Sequence, residues 1–437
     1  MTMILTLMLL TSAPAPAAIP QTTPGGPPQV SWSRRRLFTE SGAPSLPDAP
    51  FLAGGGVAAG DIDRDGDEDL VIATQTGPVV WENRGVQGFV ATTPTRIPVS
   101  PGPSAKVYLA DLTGDGWLDL VTSGTSSSQV DYLVPNDRTG RFVGPIALPQ
   151  AQTVTSHIAL ADMEGDGDID LVRAIGANGH FNATGLDSLL VNDGAGNFTE
   201  DASFQLSPWN DVSMATTSVE VFDANGDGIL DILVCRADSG TFTGSFGAQN
   251  SLLYGAGNRR FFAAPASALP AVDDNSYGAA ARDYDGDGDL DVVVSNVVSG
   301  VGFMNSADVL LNQGGVQGGT EGVFEEFRDA IQEMESPAES LRLGLTVGDV
   351  NLDGRADVLF FVHDLPPGGD QTLYLARSAD ATFVRDTTFR TGTFIAGGGV
   401  MFDADGDGDL DIFITAAGSA AGGTDPFRPR LYRNTVR

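Results

Sequence analysis

The chain has 437 residues, 41% of them hydrophobic, and carries 57 acidic against 24 basic side chains, for a formal charge of −33. That apolar content supports a packed core and excludes a disordered chain, while the charge argues against nucleic acid as a partner and for cations. The single cysteine, Cys235, cannot form an internal disulfide, and its place in the apolar run 232–235 marks it as a buried small hydrophobe.

The first 18 residues stand apart. An apolar stretch at 4–10 is too short to span a bilayer and runs into a small-residue segment in which Ala15 and Ala17 offer a small-x-small cleavage site. Residues 1–18 are therefore expected to be a secretory signal peptide, although no Lys or Arg precedes the apolar core, and the protein to be secreted, periplasmic or at the cell surface. Residues 19–34, rich in Pro, Gly and Thr at their start, read as a linker. No later segment is long and apolar enough for a transmembrane helix.

From residue 35 onward one acidic nine-residue loop recurs seven times, starting at Asp61, Asp111, Asp162, Asp223, Asp283, Asp349 and Asp403. The spacings of 50, 51, 61, 60, 66 and 54 residues are those of an array of supersecondary units, so 35–437 is read as one closed repeat domain rather than two or three ordinary ones. In the first unit a short apolar lead-in at 57–60 precedes the loop, and strands are predicted at 70–74, 79–82 and 88–91. Later units repeat the plan, with Gly- and Asn-rich turns between the third and fourth strands. Seven four-stranded units predict an all-β, seven-bladed β-propeller. The seventh unit stops at 431–437, a third strand with no fourth after it, while 36–40 carries a fourth-strand pattern like that of 197–200. The segment near 37–40 is thus expected to add to the last blade and close the ring.

Oxygen donors at alternate positions of a tight loop suit calcium, which takes about 6 to 8 oxygens in flexible geometry. The first, third, fifth and ninth positions hold Asp61, Asp63, Asp65 and Asp69 in the first copy, Asp111, Thr113, Asp115 and Asp119 in the second, and Asp162, Glu164, Asp166 and Asp170 in the third. The fourth and fifth copies supply Asp223, Asn225, Asp227 and Asp231, then Asp283, Asp285, Asp287 and Asp291. The sixth and seventh supply Asp349, Asn351, Asp353 and Asp357, then Asp403, Asp405, Asp407 and Asp411. At the seventh position Asp67, Trp117, Asp168, Ile229, Asp289, Arg355 and Asp409 are expected to give only a backbone carbonyl, which explains the tolerance for Trp, Ile and Arg there. Seven bound divalent ions would bring the charge of −33 to about −19. The twelfth position, Ile72, Thr122, Arg173, Val234, Val294, Phe360 or Ile414, never carries the Glu of an EF-hand, and a strand follows instead of a helix.

The lead-in, loop and strand of 57–72, VAAGDIDRDGDEDLVI, resemble the FG-GAP or VCBS repeats of secreted proteins and of the integrin α-subunit propeller, and the resemblance extends over about 36–437. It implies calcium in the hairpin between the first and second strands of each blade, up to seven ions in all, on one face of the ring. The Phe-Gly and Gly-Ala-Pro signature is only partly kept, at Tyr277-Gly278-Ala279-Ala280.

Strand alternation then places the second-to-third-strand loops on the opposite face. Three are expected to be long, 173–187, 236–250 and 295–308, and carry His180, Phe181, Phe242, Phe246 and Phe303, with Trp209 and Tyr277 on nearby inter-blade loops. Long loops on a rigid scaffold are where binding usually lives, so Trp209, Phe242, Phe246, Tyr277 and Phe303 are the candidate ligand-binding residues. Third-to-fourth-strand turns, including Arg259, lie on the calcium face and are expected to matter little to that ligand. Catalytic residues are not identified: His157, His180 and His363 lack the spacing of a zinc site, and no Gly-x-Ser-x-Gly elbow, phosphate loop or dinucleotide fingerprint occurs. The leading expectation is a monomeric adhesion or recognition module for a protein or glycan. The alternative, which the resemblance brings because some such propellers are polysaccharide lyases, is a polysaccharide-active enzyme on the same scaffold.

Overall fold

Each acidic loop runs directly into a strand because its ninth residue is already the strand's first: Asp69, Asp119, Asp170, Asp231, Asp291, Asp357 and Asp411 each open a run of aliphatic residues buried on both faces. A computed structural model describes residues 38–40, 56–124, 129–149, 154–176, 187–204, 214–238, 248–271, 275–297, 307–327, 330–332, 342–362, 371–377, 381–392, 396–416 and 429–435. The expected signal peptide and linker lie outside them.

The strands form seven sheets, one per repeat, each an antiparallel meander. The first is Val57–Gly60, Asp69–Ile72, Val79–Asn83 and Phe89–Ala91, matching the four predicted strands to within a residue or two. The sixth carries a fifth strand that the repeat pattern does not show, Ile331–Gln332, parallel to Phe383–Arg385. In the seventh, Ala396–Phe402, Asp411–Ala416 and Arg430–Asn434 are joined by Phe38–Glu40 from the other end of the chain, with Phe38 opposite Asn434 and Glu40 opposite Tyr432. The second strands of blades three, four and five run on to Ile175, Asp238 and Asn296. The loops after them are therefore shorter than the sequence suggested.

First strands of successive sheets contact one another round a ring, and Val57–Gly60 meets Ala396–Phe402 to complete it. The core follows suit: there are seven apolar clusters, each spanning a junction between neighbouring blades. At the junction of blades seven and one, Trp81 packs edge-on against Phe413, with ring centroids 5.7 Å apart, beside Phe89, Phe402 and Leu431. The core is thus distributed between sheets, and a blade without neighbours would leave both of its apolar faces in water.

Polar latches pin the same junctions. An asparagine ends the third strand in blades one, three, five and seven and follows it by two residues in blade two, and its side-chain amide donates to the second residue of the preceding blade's acidic loop: Asn83 to Ala404, Asn136 to Ile62, Asn192 to Leu112, Asn312 to Ala224 and Asn434 to Val350, at 2.6–3.1 Å. The same amide reaches its own loop, as from Asn192 to the Ile169 carbonyl at 3.1 Å, and its oxygen accepts the Gly196 N–H at 3.2 Å. At the other ends of the strands, hydroxyls cross the junctions: Thr155 donates to Asp131 at 2.7 Å and Thr216 to Asp187 at 2.8 Å. Replacing Asn192 by Ala strips two carbonyls and one N–H of their partner at a buried position. Chemical denaturation should show a loss of about 2–4 kcal/mol, whereas Asn197→Ala, at an exposed turn, should change little; equal effects would contradict the latch.

Candidate metal centres

The acidic loop is shaped by its own carboxylates. In all seven copies the first aspartate accepts the N–H groups of the fifth and sixth residues, as Asp349 does from Asp353 at 3.0 Å and from Gly354 at 2.7 Å. The fifth aspartate accepts the seventh residue's N–H, as Asp227 does from Ile229 at 2.8 Å. The sixth residue is always glycine in the left-handed region, with φ of +97° at Gly66 and +105° at Gly288, a conformation other L residues adopt only with strain. That turn brings the first, third and ninth side chains to one side.

The ninth aspartate is buried and does more than face the loop interior. One oxygen accepts the N–H of the loop's second residue, and the other accepts the N–H that ends the third strand: for Asp69 these are Ile62 at 3.3 Å and Asn83 at 2.7 Å. The second pair recurs at Asn136, Asn192, Gly255, Asn312, Ala376 and Asn434, at 2.6–2.9 Å. Burial pushes the carboxyl of Asp69 up to about 8, those of Asp170, Asp291 and Asp411 up to about 7 and that of Asp231 up to about 6. A cation beside these groups would favour the charged form.

Three loops gather carboxylate oxygens within 4.8 Å of one another: Asp61, Asp63 and Asp69; Asp283, Asp285 and Asp291; Asp403, Asp405 and Asp411. In the second, fourth and sixth copies the third-position donor is Thr113, Asn225 or Asn351 in place of an acid. The donor set is entirely hard oxygen, and three of its buried oxygens have no hydrogen-bond partner, Asp63 Oδ1, Thr113 Oγ1 and Glu164 Oε2, which suits cation ligation. These residues fit calcium.

The seventh position departs from expectation in two copies. Asp289 and Asp409 bury their carboxylates, and none of the four oxygens has a hydrogen-bond partner. Trp117 instead lies under the Arg64 guanidinium, 4.4 Å from the ring centroid.

Arginines on the face that carries the acidic loops engage the loop acids, which the sequence reading missed. Arg96 pairs with Asp63 and Glu82, Arg138 with Asp115 at 2.8 Å, and Arg433 with Asp405. Arg259, in the turn of blade four, reaches Glu164 of blade three at 2.6 Å and Asp201 at 3.0 Å. The third-to-fourth-strand turns therefore touch the neighbouring blade's candidate ligands.

Of the candidate ligand-binding aromatics, Trp209, Phe242, Phe246 and Phe303 lie outside the described residues, as do His180, Phe181 and His363. Tyr277 belongs to the strand Ser276–Arg282 and is half-buried, so its assignment to an inter-blade loop is corrected: the strand begins one residue before it. His157 sits on Thr155–Ala161 with its ring 6.0 Å from Tyr108; burial and the nearby Lys106 push it down to about 3, leaving it neutral.

Residues 61–122, the first acidic loop through the second strand of blade two, match the FG-GAP-like repeat. That repeat lies within a propeller of seven sheets. The chain is 24% identical over 414 residues to cartilage acidic protein 1 of Mus musculus, an alignment covering 88% of the chain and 61% of that protein's length. Among solved structures it is similar to BBS1N, crystallised in complex with ARL6DN (TM-score 0.53, 11% identity, 92% of this chain and 98% of that one). It is also similar to an Agrocybe aegerita lectin whose structure describes recognition of non-reducing terminal N-acetylglucosamine (TM-score 0.50, 17% identity, 76% and 79%). At these identities the structural likeness is one of fold. No helix among the described residues is long and apolar enough to cross a membrane.

The raised carboxyls fix the sign of a pH effect. Asp69, Asp170, Asp231, Asp291 and Asp411 have folded values of about 6 to 8, above the ordinary carboxylate value near 4 in the unfolded chain. The metal-free folded form thus binds more protons and loses stability as pH rises through that window. Calcium-stripped protein should melt higher at pH 5.5 than at pH 8, and excess calcium should abolish or reverse the difference. A melting temperature of stripped protein that climbs with pH would contradict this.

Proposed function

We propose that this FG-GAP propeller is a secreted or cell-surface recognition module, stabilised by up to seven calcium ions, that binds a protein or glycan through the face opposite its acidic loops. The observation that carries the reading is the repetition of one oxygen-only donor set in seven loops, some of which lie under the turn of an adjacent blade. Gly140 of blade two lies over Asp63, and Gly322 of blade five over Asn225, so an ion in one loop would brace a junction as well as a hairpin. Calcium ligation is this scaffold's role for the acids, which leaves recognition to the loops of the other face. Propellers of the same fold serve both partner classes, a terminal sugar in the lectin and the protein ARL6DN in the BBS1N complex.

At free calcium about ten times the dissociation constant, each independent site contributes about 1.4 kcal/mol, or on the order of 10 kcal/mol over seven. Chelation should therefore lower the melting temperature markedly. Within one loop, Asp227→Ala should weaken calcium binding far more than Ile229→Ala, because only the first removes a ligating side-chain oxygen; equal losses in calorimetry would show the register to be wrong.

Glycan and protein arrays probed with calcium, then with chelator, test the recognition role. For a ligand found this way, Trp209→Ala, Phe242→Ala or Phe246→Ala should each cost about 2 kcal/mol of affinity while leaving calcium-dependent melting intact. Binding that survives all three but is lost on altering the calcium-face turns would reverse the assignment of the face. Release of unsaturated sugar during the assay would replace this reading with the lyase alternative.

A further inference from the structure

Lys106 is the chain's one lysine, set against 57 acidic side chains, yet among the described residues no acid pairs with it. It opens Lys106–Ala110, the first strand of blade two, at the end away from the acidic loop. Burial holds its ammonium below the ordinary lysine range, while the residue keeps part of its surface open to solvent, as a group on a channel wall does. Its side chain makes no hydrogen bond or ion pair among the described residues, and a desolvated charge without a counter-charge is costly.

Two polar groups beside it are also incompletely paired. Tyr108 lies two residues on, on the same face of the strand and about 7 Å away along the backbone, and its ring meets His157 of blade three edge-on, with centroids 6.0 Å apart. The Tyr108 oxygen accepts the Ile158 N–H at 2.9 Å, but its own O–H has no acceptor among the described residues. His157 donates one ring N–H to the Val219 carbonyl and is neutral, so its buried Nδ1 is an acceptor, and that atom has no partner. The nearby acids are occupied: Asp131 holds Arg173 and Thr155, and Glu220 accepts the Ala281 N–H at 3.1 Å.

The repeat sets these groups at one level of the ring. Five residues before its acidic loop blade two has Lys106 and blade three His157, which pair with Ser123 and Ala174 at matching points of their sheets. The same position is Ser218 in blade four and glycine in the other four blades, so little side-chain volume faces the pair across the ring of first strands. Gly56 is one of those glycines. A Cβ there would lie 2.7 Å from the Lys106 Cα and 3.3 Å from its Cδ, so only glycine leaves the lysine stem its place.

We infer that Lys106, Tyr108 and His157 form a channel site for a small hydroxycarboxylate, the class to which sugar acids belong. The carboxylate accepts hydrogen bonds from the Lys106 ammonium and the Tyr108 hydroxyl, and the hydroxyl beside it donates to His157 Nδ1. Two donors, one of them charged, and one acceptor match such a ligand, whereas a plain carboxylate leaves the histidine acceptor unpaired. The site uses no residue of the acidic loops and none of the candidate aromatics, so it stands apart from the calcium reading.

With one lysine in the chain, amine acetylation read by mass spectrometry reports on this site alone once the N-terminal peptide is set aside. In the full chain at saturating calcium, glycolate should slow acetylation of Lys106, and calorimetry should give acetate an affinity about fivefold lower than glycolate. Lys106→Met should cut glycolate affinity about tenfold or more without lowering the melting temperature, and His157→Phe should bring glycolate down to the acetate value. Glycolate that leaves acetylation of the wild type unchanged would overturn the site whether or not the variants fold, as would a folded Lys106→Met that binds it like wild type. Equal binding of acetate and glycolate, or tighter binding of inorganic phosphate than of either, would refute the hydroxycarboxylate as the ligand.

Discussion

One buried carboxylate per repeat organises this ring. The ninth loop residue is the point where a solvent-facing turn becomes a core strand, and its two oxygens accept N–H groups from opposite directions: the start of the loop and the end of the third strand. A carboxylate takes both because it accepts several bonds at once in a fixed plane. The cost of burying it is offset by those bonds, and the residual preference for the neutral form is what a cation would reverse. Hairpin, sheet and candidate metal site therefore stand on the same side chain, so Asp69 and its six counterparts have a structural role beside any ligating one.

Neighbouring blades are linked to that arrangement by the third-strand asparagine. The N–H that the aspartate receives belongs, in five blades, to the very residue whose amide crosses to the preceding loop. Loop order in one blade is thereby coupled to strand order in the next. The apolar clusters between blades supply most of the burial, but they are non-directional; the latches set the register in which adjacent sheets meet.

Much of this was legible from the residues. The acidic loop recurs with a strand signal at fixed distance, so the number of blades, the loop's place in each hairpin and the pairing of Phe38–Glu40 with the last sheet follow from one local pattern seen seven times. What resisted reading depends on contacts between repeats. Asn136 and Gly140, or Asn192 and Gly196, stand four residues apart, and that spacing is the signal for the latch that the Gly- and Asn-rich turns carry. Arg259 gave no hint of reaching Glu164, because the two are 95 residues apart and meet only when the ring closes. Tyr277, expected on an inter-blade loop, lies in a strand because a register shift between Ser276 and Gly278 lets the strand begin earlier. Asp289 and Asp409 look like the other acidic seventh-position residues in sequence, and only the fold shows that their carboxylates are buried without a hydrogen-bond partner.

The asparagine latch is missing at two junctions, and the two are not adjacent. Gly255 ends the third strand of blade four, where a Cβ would lie 2.4 Å from the Leu230 carbonyl, and Ala376 ends that of blade six. The ring is thereby divided into two arcs, blades four and five in one and blades six, seven, one, two and three in the other. The larger arc contains the junction between the first and last blades, which carries its own latch from Asn83 to Ala404. The covalent gap in the circle is thus not a gap in the latch series; the interruptions fall between blades three and four, where Thr216 and Arg259 reach across to Asp187 and Glu164 instead, and between blades five and six, where Ile331–Gln332 adds to the sixth sheet.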